Sequence, residues 1–412
     1  MRDTGSVSID RFGLDRERKI MDSGVRDVFT PHQPVREQEL LFGRDREVTR
    51  LIAFMNTPGQ HGLLFGERGV GKSSLANVAV EAHLAQVVDG NVFRKRCDKN
   101  DTFETVLEAP LRAVGFELNL VEVEEGVGRK RGGKLDLKVV GWATGMETAR
   151  RATYRRTEDV SPSRAAEFIG KSRALLLIDE ADALDDTAKQ KLAELMKQLS
   201  DEGSGFKVLM VGIAETAAGL TAAHPSVSRC LRETKLGRMS DDELEEIVSV
   251  GATRVGLTFT SEAVAAIVTC SAGYPHFTHL LALKCAESAI AVGRTKISKD
   301  DVVTAMGVAI TDTEGSLRAS YEDACRSQGT EMYRIVLMAA ATLDAAEFPA
   351  DDLRSAISNI TGNPISQGSL NNYLQRLVDY DDSKILRRTA KGVYRFTDPR
   401  MPSFVKIANR MA

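Results

Sequence analysis

Apolar residues follow two different rhythms along this chain, and the change from one to the other marks its organisation. From about residue 37 to 232, short apolar runs such as Leu63-Leu64-Phe65, Ala174-Leu175-Leu176-Leu177-Ile178 and Phe206-Lys207-Val208-Leu209-Met210-Val211 alternate with stretches of helical spacing. Unbroken apolar runs suit strands buried on both faces, so this part predicts an α/β fold: a parallel sheet with helices on both faces. From 233 to 312 the period is helical throughout. Ser240-Asp241-Asp242-Glu243 forms a capping box that opens a helix through Val250, and Thr260–Thr269 and Ser298–Ile310 predict further helices. Residues 313–412 predict a last unit, in which helices precede two β-like runs, Ile385–Arg388 and Val393–Phe396, joined through Lys391-Gly392. Residues 1–36 are polar and charged, with Pro31 and Pro34 near the end, and predict an N-terminal extension or arm.

Composition narrows the class. A chain of 412 residues exceeds what one core supports, so two to three domains are expected. A net charge of −3 excludes a whole-molecule polycation, and any nucleic-acid contact has to come from a local patch. Cys97, Cys230, Cys270, Cys285 and Cys325 are scattered and never in C-x-x-C spacing, so each reads as a small buried hydrophobe. The N-terminus has no apolar h-region and no run approaches 18 apolar residues, which predicts a cytoplasmic location and no membrane partner.

The chemistry starts at Gly66-Glu67-Arg68-Gly69-Val70-Gly71-Lys72-Ser73, which fits G-x-x-x-x-G-K-[ST] between a strand-like run and a helix-like run beginning at Ser74. Glycines let backbone N–H groups face a phosphate, and the helix N-terminus adds about half a positive charge. Lys72 is expected to reach the β and γ phosphates, and Ser73 to hold Mg²⁺. A Gly-rich turn meeting the pattern by chance is the alternative. The second half is Leu175-Leu176-Leu177-Ile178-Asp179-Glu180, two carboxylates at the carboxyl end of a buried strand, where α/β sheets place ligands. Asp179 is expected to hold Mg²⁺ through water and Glu180 to orient and deprotonate the attacking water. The competing reading is an acidic cap on the next helix. Glu215 and Thr216, after the next strand, are sensor candidates, although an ordinary strand-end turn explains them equally. Arg229 is a candidate arginine finger offered to a neighbouring subunit, against a surface salt-bridge arginine.

In this order the motifs resemble AAA+ ATPases of the initiator clade, the origin-recognition proteins, together with the related STAND signalling ATPases. The resemblance spans residues 38 to 400. It implies a P-loop NTPase core at 37–232, a helical lid at 233–312, a winged helix at 313–412, ATP or ADP with Mg²⁺, and assembly into a homo-oligomer or with a partner protein. Leu41-Phe42-Gly43-Arg44 resembles the element that lines the adenine pocket, which implicates Phe42 and Arg44. Ser271-Ala272-Gly273-Tyr274-Pro275-His276 resembles the lid motif whose proline, here Pro275, packs near base and ribose; a helix stop at Gly273 and a helix start at Pro275 account for the same residues. The group usually carries a sensor arginine just after this turn, and here His276 stands there. A neutral imidazole is a poorer phosphate ligand than a guanidinium, which implies a slow switch that holds its nucleotide.

Two basic regions point to double-stranded DNA. An insert at about 119–160 carries nine basic against two acidic residues over 126–156, a net +7, with a hairpin expected around Lys134–Val139 and Trp142 near its base. A solvated basic loop is the alternative. In the last unit, Leu370, Leu374 and Leu377 share a core face of a recognition helix, with Ser369, Asn372 and Arg376 elsewhere on it. The wing holds Lys384, Arg387, Arg388, Lys391, Arg395 and Arg400 against Asp398. The expected function is thus a slow ATPase acting on the phosphoric anhydride of ATP, coupling nucleotide state to DNA binding or assembly. The rival is a STAND-like signalling or defence scaffold that binds protein partners.

Overall fold

A computed structural model describes residues 13–84, 91–116, 120–123, 154–157, 160–213, 225–313, 315–326, 330–343, 345–379 and 385–411. Five strands, β1 (His61–Gly66), β2 (Asn91–Arg96), β5 (Ala174–Asp179), β6 (Lys207–Gly212) and β7 (Leu231–Leu236), form a parallel sheet in the order β2-β5-β6-β1-β7. The predicted strand Phe206–Val211 is thus shifted by one residue. Because side chains alternate faces along a strand, neighbours in the apolar runs enter opposite layers. Leu63, Leu176, Ile178 and Met210 pack with helices Phe103–Ala113, Pro162–Ile169 and Asp186–Asp201. Leu64, Leu175, Leu177 and Val211 join a second core with helices Asp45–Asn56 and Lys72–Leu84.

That second core does not stop at the sheet. It continues through the lid helices Asp241–Arg254, Ser261–Ser271, Pro275–Ala291 and Lys299–Asp312 into the C-terminal unit, where Leu337, Leu374 and Phe404 belong to it. The capping box forms as expected: Glu243 N donates to Ser240 Oγ (3.3 Å) and Ser240 N to Glu243 Oε2 (2.6 Å). The helix it opens runs to Arg254, beyond the predicted end at Val250, because Ile247, Val248, Gly251 and Ala252 keep a buried stripe. Two-residue strands β8 (Thr258–Phe259) and β9 (Lys296–Ile297) tie the lid helices together.

The C-terminal unit comprises helices Gly315–Cys325, Met332–Thr342, Ala350–Thr361, Gln367–Asp379 and Met401–Ala408, with β10 (Phe348–Pro349), β11 (Leu386–Ala390) and β12 (Val393–Phe396) in the antiparallel order β10-β12-β11. Leu370, Leu374 and Leu377 are buried as the helical spacing requires. The last helix is fastened to the lid, since Ser403 Oγ donates to Ser271 O (2.8 Å) and Lys406 Nζ to Thr269 O (3.2 Å).

The described part of the expected N-terminal arm, residues 13–36, is packed rather than free. Helix Leu14–Asp22 and the turn Val25–Val28 lie against helix Pro275–Ala291, with Ile20, Val25 and Phe29 buried and Arg26 Nε bonded to Glu287 Oε1 at 2.6 Å. Three apolar residues spaced along a polar stretch sufficed, since a docked helix needs only a narrow stripe. At the root of the basic insert, β3 (Leu120–Val123) and β4 (Tyr154–Thr157) pair antiparallel. The predicted hairpin turn with Trp142, the sensor candidates Glu215 and Thr216, and Lys384 lie outside the described residues. Cys97, Cys230, Cys270 and Cys285 are buried and Cys325 is half-buried, as expected of small hydrophobes. No described helix is long and apolar enough to cross a membrane.

Leu176→Ala, at a fully buried position in the central layer, is expected to lower unfolding free energy by about 2–5 kcal/mol, read from urea titration. A loss below about 0.5 kcal/mol would contradict the packing assigned to β5.

Candidate nucleotide site

At the carboxyl end of the sheet lies a cavity of about 390 Å³ walled by the phosphate loop, the end of β5, the lid and the N-terminal segment. The sheet order explains the meeting. β6 alone separates β1 from β5, so the loop after β1 and the carboxylates after β5 face each other across one strand. Gly69 and Gly71 carry φ of 85° and 93°, left-handed values that glycine adopts without a Cβ clash and that let the loop turn tightly. Arg68, Gly69, Val70, Gly71, Lys72, Ser73 and Ser74 line the cavity, with Asp179, Glu180, Phe42, Arg44, Pro275 and His276.

Lys72 Nζ donates to Gly66 O (3.0 Å) and Glu67 O (2.7 Å), so the ammonium is held within its own loop. Burial lowers its pKa, opposed by the charges of Asp182 and Asp179. Asp179 Oδ1 accepts from Glu180 N (2.9 Å), which fixes the carboxylate at the strand end. Glu180 adopts φ 55° and ψ 39°, a left-handed conformation uncommon for a residue with a Cβ and typical of functional sites. Its carboxylate accepts from Arg96 Nη2 at 2.6 Å, and this bond, with the attraction of the same guanidinium, holds the carboxyl below the ordinary glutamate range. The hydroxyl of Ser73 and the carboxylate of Asp179 are hard oxygen donors that line the same cavity, a set that fits Mg²⁺.

Two expected ligands are placed otherwise. Gly66 and Glu67 do not line the cavity. An added Cβ on Gly66 would sit 2.3 Å from Leu236 O, so its absence serves strand packing. The Glu67 side chain turns away to accept from Tyr274 OH (2.7 Å) and Arg238 Nε (3.0 Å), while the Arg238 guanidinium lies 4.8 Å from the Tyr274 ring centroid. Burial raises the Glu67 pKa, but these two bonds outweigh it and the net direction is down. Arg44 is 6% exposed and donates to Gly237 O (2.8 Å), tying the segment before the sheet to the lid junction, and Phe42 packs with Met239, Leu244 and Ile247. Arg229 ends the 3-10 turn Pro225–Arg229, exposed and away from this cavity.

Arg96, Asp182, Ile213, Met239 and the segment Thr30–Val35 also line the cavity, and the motifs did not indicate them. For Arg96 the signal is positional: it ends β2 in register with Asp179, a pairing that exists only once the strand order is known.

The predicted wing and the predicted recognition helix before it each need one correction. Arg400 is 7% exposed, bonded to Asp398 through Nε (3.1 Å) and Nη2 (2.8 Å), and packed on the phosphate loop so closely that a Cβ on Gly69 would lie 2.9 Å from its Cδ. Arg376 donates to Arg326 O (2.8 Å) and lies 4.6 Å from the Tyr333 ring centroid, so its guanidinium serves the unit's own packing. Arg387, Arg388 and Lys391 stay exposed, and Arg395 is half-buried.

This fold and this site define a P-loop NTPase core. The model of the novel STAND NTPase 1 family matches residues 31–286, more than half of the chain, and the chain belongs to that family. The Walker-type ATPase PABY2304 of Pyrococcus abyssi shares the fold at 15% identity and a TM-score of 0.50, covering 92% of this chain and 99% of its own. The Aeropyrum pernix ORC2 protein in ADPNP–ADP complexes (15% identity, TM-score 0.49, 94% and 97% covered) and the ORC1 protein of the same organism in complex with DNA (15%, 0.47, 94% and 98%) are also similar. No curated protein matches the chain in sequence.

Proposed function

We propose that the protein is an ATP-binding and ATP-hydrolysing switch that couples nucleotide state to DNA binding or assembly through its C-terminal unit, read as a winged helix. One observation carries this reading. The loop expected to hold the phosphates is touched from behind by the C-terminal unit, where Arg400 packs on Gly69 beside the Glu67–Tyr274–Arg238 cluster. Interfaces of this kind are bistable rather than elastic, so a change in the loop that favours one arrangement of Glu67 and Arg400 is passed to helix Met401–Ala408 and β12.

In the reaction proposed, Ser73 and Asp179 would hold Mg²⁺, which when bound would neutralise charge on the phosphate oxygens. Lys72 and the loop amides bind the β and γ phosphates, and Glu180 takes the proton of the attacking water. Phe42, Arg44 and Pro275 frame the base. Arg229 acts on a neighbouring subunit's γ-phosphate if copies assemble, which its exposed position permits.

DNA binding in this reading rests on Arg387, Arg388 and Lys391 at the exposed edge of the wing, with Ser369 and Asn372 exposed on the helix before it. Three phosphate contacts imply an affinity for duplex DNA that falls about 40-fold between roughly 50 and 200 mM salt. Fluorescence anisotropy of a labelled duplex, with and without ATP, measures it. Absence of binding at low salt would remove DNA as partner and leave the second reading, a nucleotide-gated scaffold for protein partners. Membership of the STAND family and the internal engagement of Arg376 and Arg400 favour that second reading.

A further inference from the structure

The N-terminal segment Thr30-Pro31-His32-Gln33-Pro34-Val35 forms one wall of the nucleotide cavity. It is tied at both ends, and to different bodies. Thr30 N donates to His279 Nδ1 (3.2 Å) and Pro31 O faces His276 Nδ1 (2.8 Å), both on the lid helix Pro275–Ala291. Val35 N donates to Ser74 Oγ (3.0 Å) on the phosphate-loop helix. Six residues therefore bridge the two halves of the cleft.

The two histidines have opposite roles, set by their partners. A carbonyl only accepts, so Nδ1 of His276 carries the proton; an amide N–H only donates, so Nδ1 of His279 is bare. Burial, with the neighbouring His276, pushes the His279 pKa down to about 4, which keeps that imidazole neutral and able to accept. The segment turns at Pro31-His32 and bends at Gln33, and Pro31 and Pro34 stiffen it by fixing φ at two of its six positions. Upstream, Phe29 is buried with its ring edge-on to His279, and Arg26 grips Glu287, so the strap's lid end is anchored in packing.

We infer that this strap is the gate of the nucleotide pocket, and that His276 and His279 are its latch: the bound nucleotide leaves only when the strap lets go of the lid. His276, standing where a phosphate-sensing arginine was expected, is then a positioning residue that holds the gate and sets how long nucleotide stays bound. The inference rests on the assignment of this cavity to nucleotide.

The test is release of N-methylanthraniloyl-ADP from the full chain, chased with excess ADP in stopped flow. Losing one such hydrogen bond makes release about tenfold faster in His276→Ala. His276→Asn, which keeps a donor for Pro31 O, returns release toward the wild-type rate. Unchanged release in His276→Ala overturns the latch, and so does equal acceleration in both variants, because the imidazole would then act by touching nucleotide directly. Circular dichroism of both variants accompanies the kinetics, since a variant that has lost the fold does not count as acceleration. Lys72→Ala separates the two levels: saturable binding that survives this change sinks the nucleotide assignment, whereas binding lost in Lys72→Ala but released at wild-type rate from His276→Ala sinks the latch alone.

Discussion

Lys72→Ala is expected to lose ATP turnover by about 10²–10³-fold or more, the loss typical of removing one preorganised donor from developing charge. The physical reason is visible before any nucleotide enters. The Lys72 ammonium is partly buried, its pKa lowered by that burial, and it is held by the carbonyls of Gly66 and Glu67 between the phosphate loop and the carboxylates Asp179 and Asp182. A cation kept there against its desolvation cost is ready to move onto a phosphate. The same variant removes a buried charge, so it is expected to fold at least as stably as the parent. Malachite-green phosphate release measures turnover and thermal melting measures the fold. Retained turnover would end the assignment of this loop.

The second large effect concerns Glu180 and its partner. Glu180→Gln is expected to bind ATP yet hydrolyse it about 10²–10⁴-fold more slowly, because an amide cannot accept the water's proton. Arg96→Ala is expected to act in the opposite direction. A carboxylate bonded to a guanidinium at 2.6 Å is a weaker base than a free one, so freeing it raises basal turnover by roughly threefold to tenfold. The double variant should behave like Glu180→Gln alone. If Arg96→Ala instead falls to the level of Glu180→Gln, Arg96 is a phosphate ligand and not a restraint.

The pair also sets a pH dependence. Arg96 holds the Glu180 carboxyl below its ordinary value of 4.5, so the ionised base persists as pH falls and is lost only below that range. The pair's small contribution to stability follows the same sign, present above the unfolded value and lost as pH falls through the folded one. Both side chains are more than a third exposed, so solvent screens that contribution. Without Arg96 the pKa returns upward, and the acid limb of the turnover profile is expected to move to higher pH.

Particular residues show how far the sequence could be read. Lys72, Ser73, Asp179 and Glu180 were legible because each lies in a contiguous run whose backbone geometry is local: strand, glycine turn and helix start in one case, buried strand and its carboxyl end in the other. The sheet was legible for the same reason, as were the helix starts at Ser240 and Thr260, where a capping side chain reaches only three residues ahead. For Glu67 the motif gives the position in the loop but not the direction of the side chain, which Tyr274 and Arg238 decide from far along the chain. Arg400 counted as wing charge until the last helix docked and buried it against Gly69. The N-terminal segment read as an arm because burial there depends on three side chains and a lid helix some 250 residues away, as in the bond from Thr30 to His279 with a separation of 249.

The phosphate loop, the acidic strand end and the buried apolar runs that become the strands were thus determined by the sequence itself, since each needs only neighbours within a dozen residues. The tertiary structure alone decided that Arg96 restrains Glu180, that Glu67 and Arg400 join the loop to the C-terminal unit, and that the histidines of the lid hold a strap across the pocket. Those assignments depend on which strand lies beside which and on which helix covers which face. Packing of the whole chain selects that order, and no local spacing encodes it.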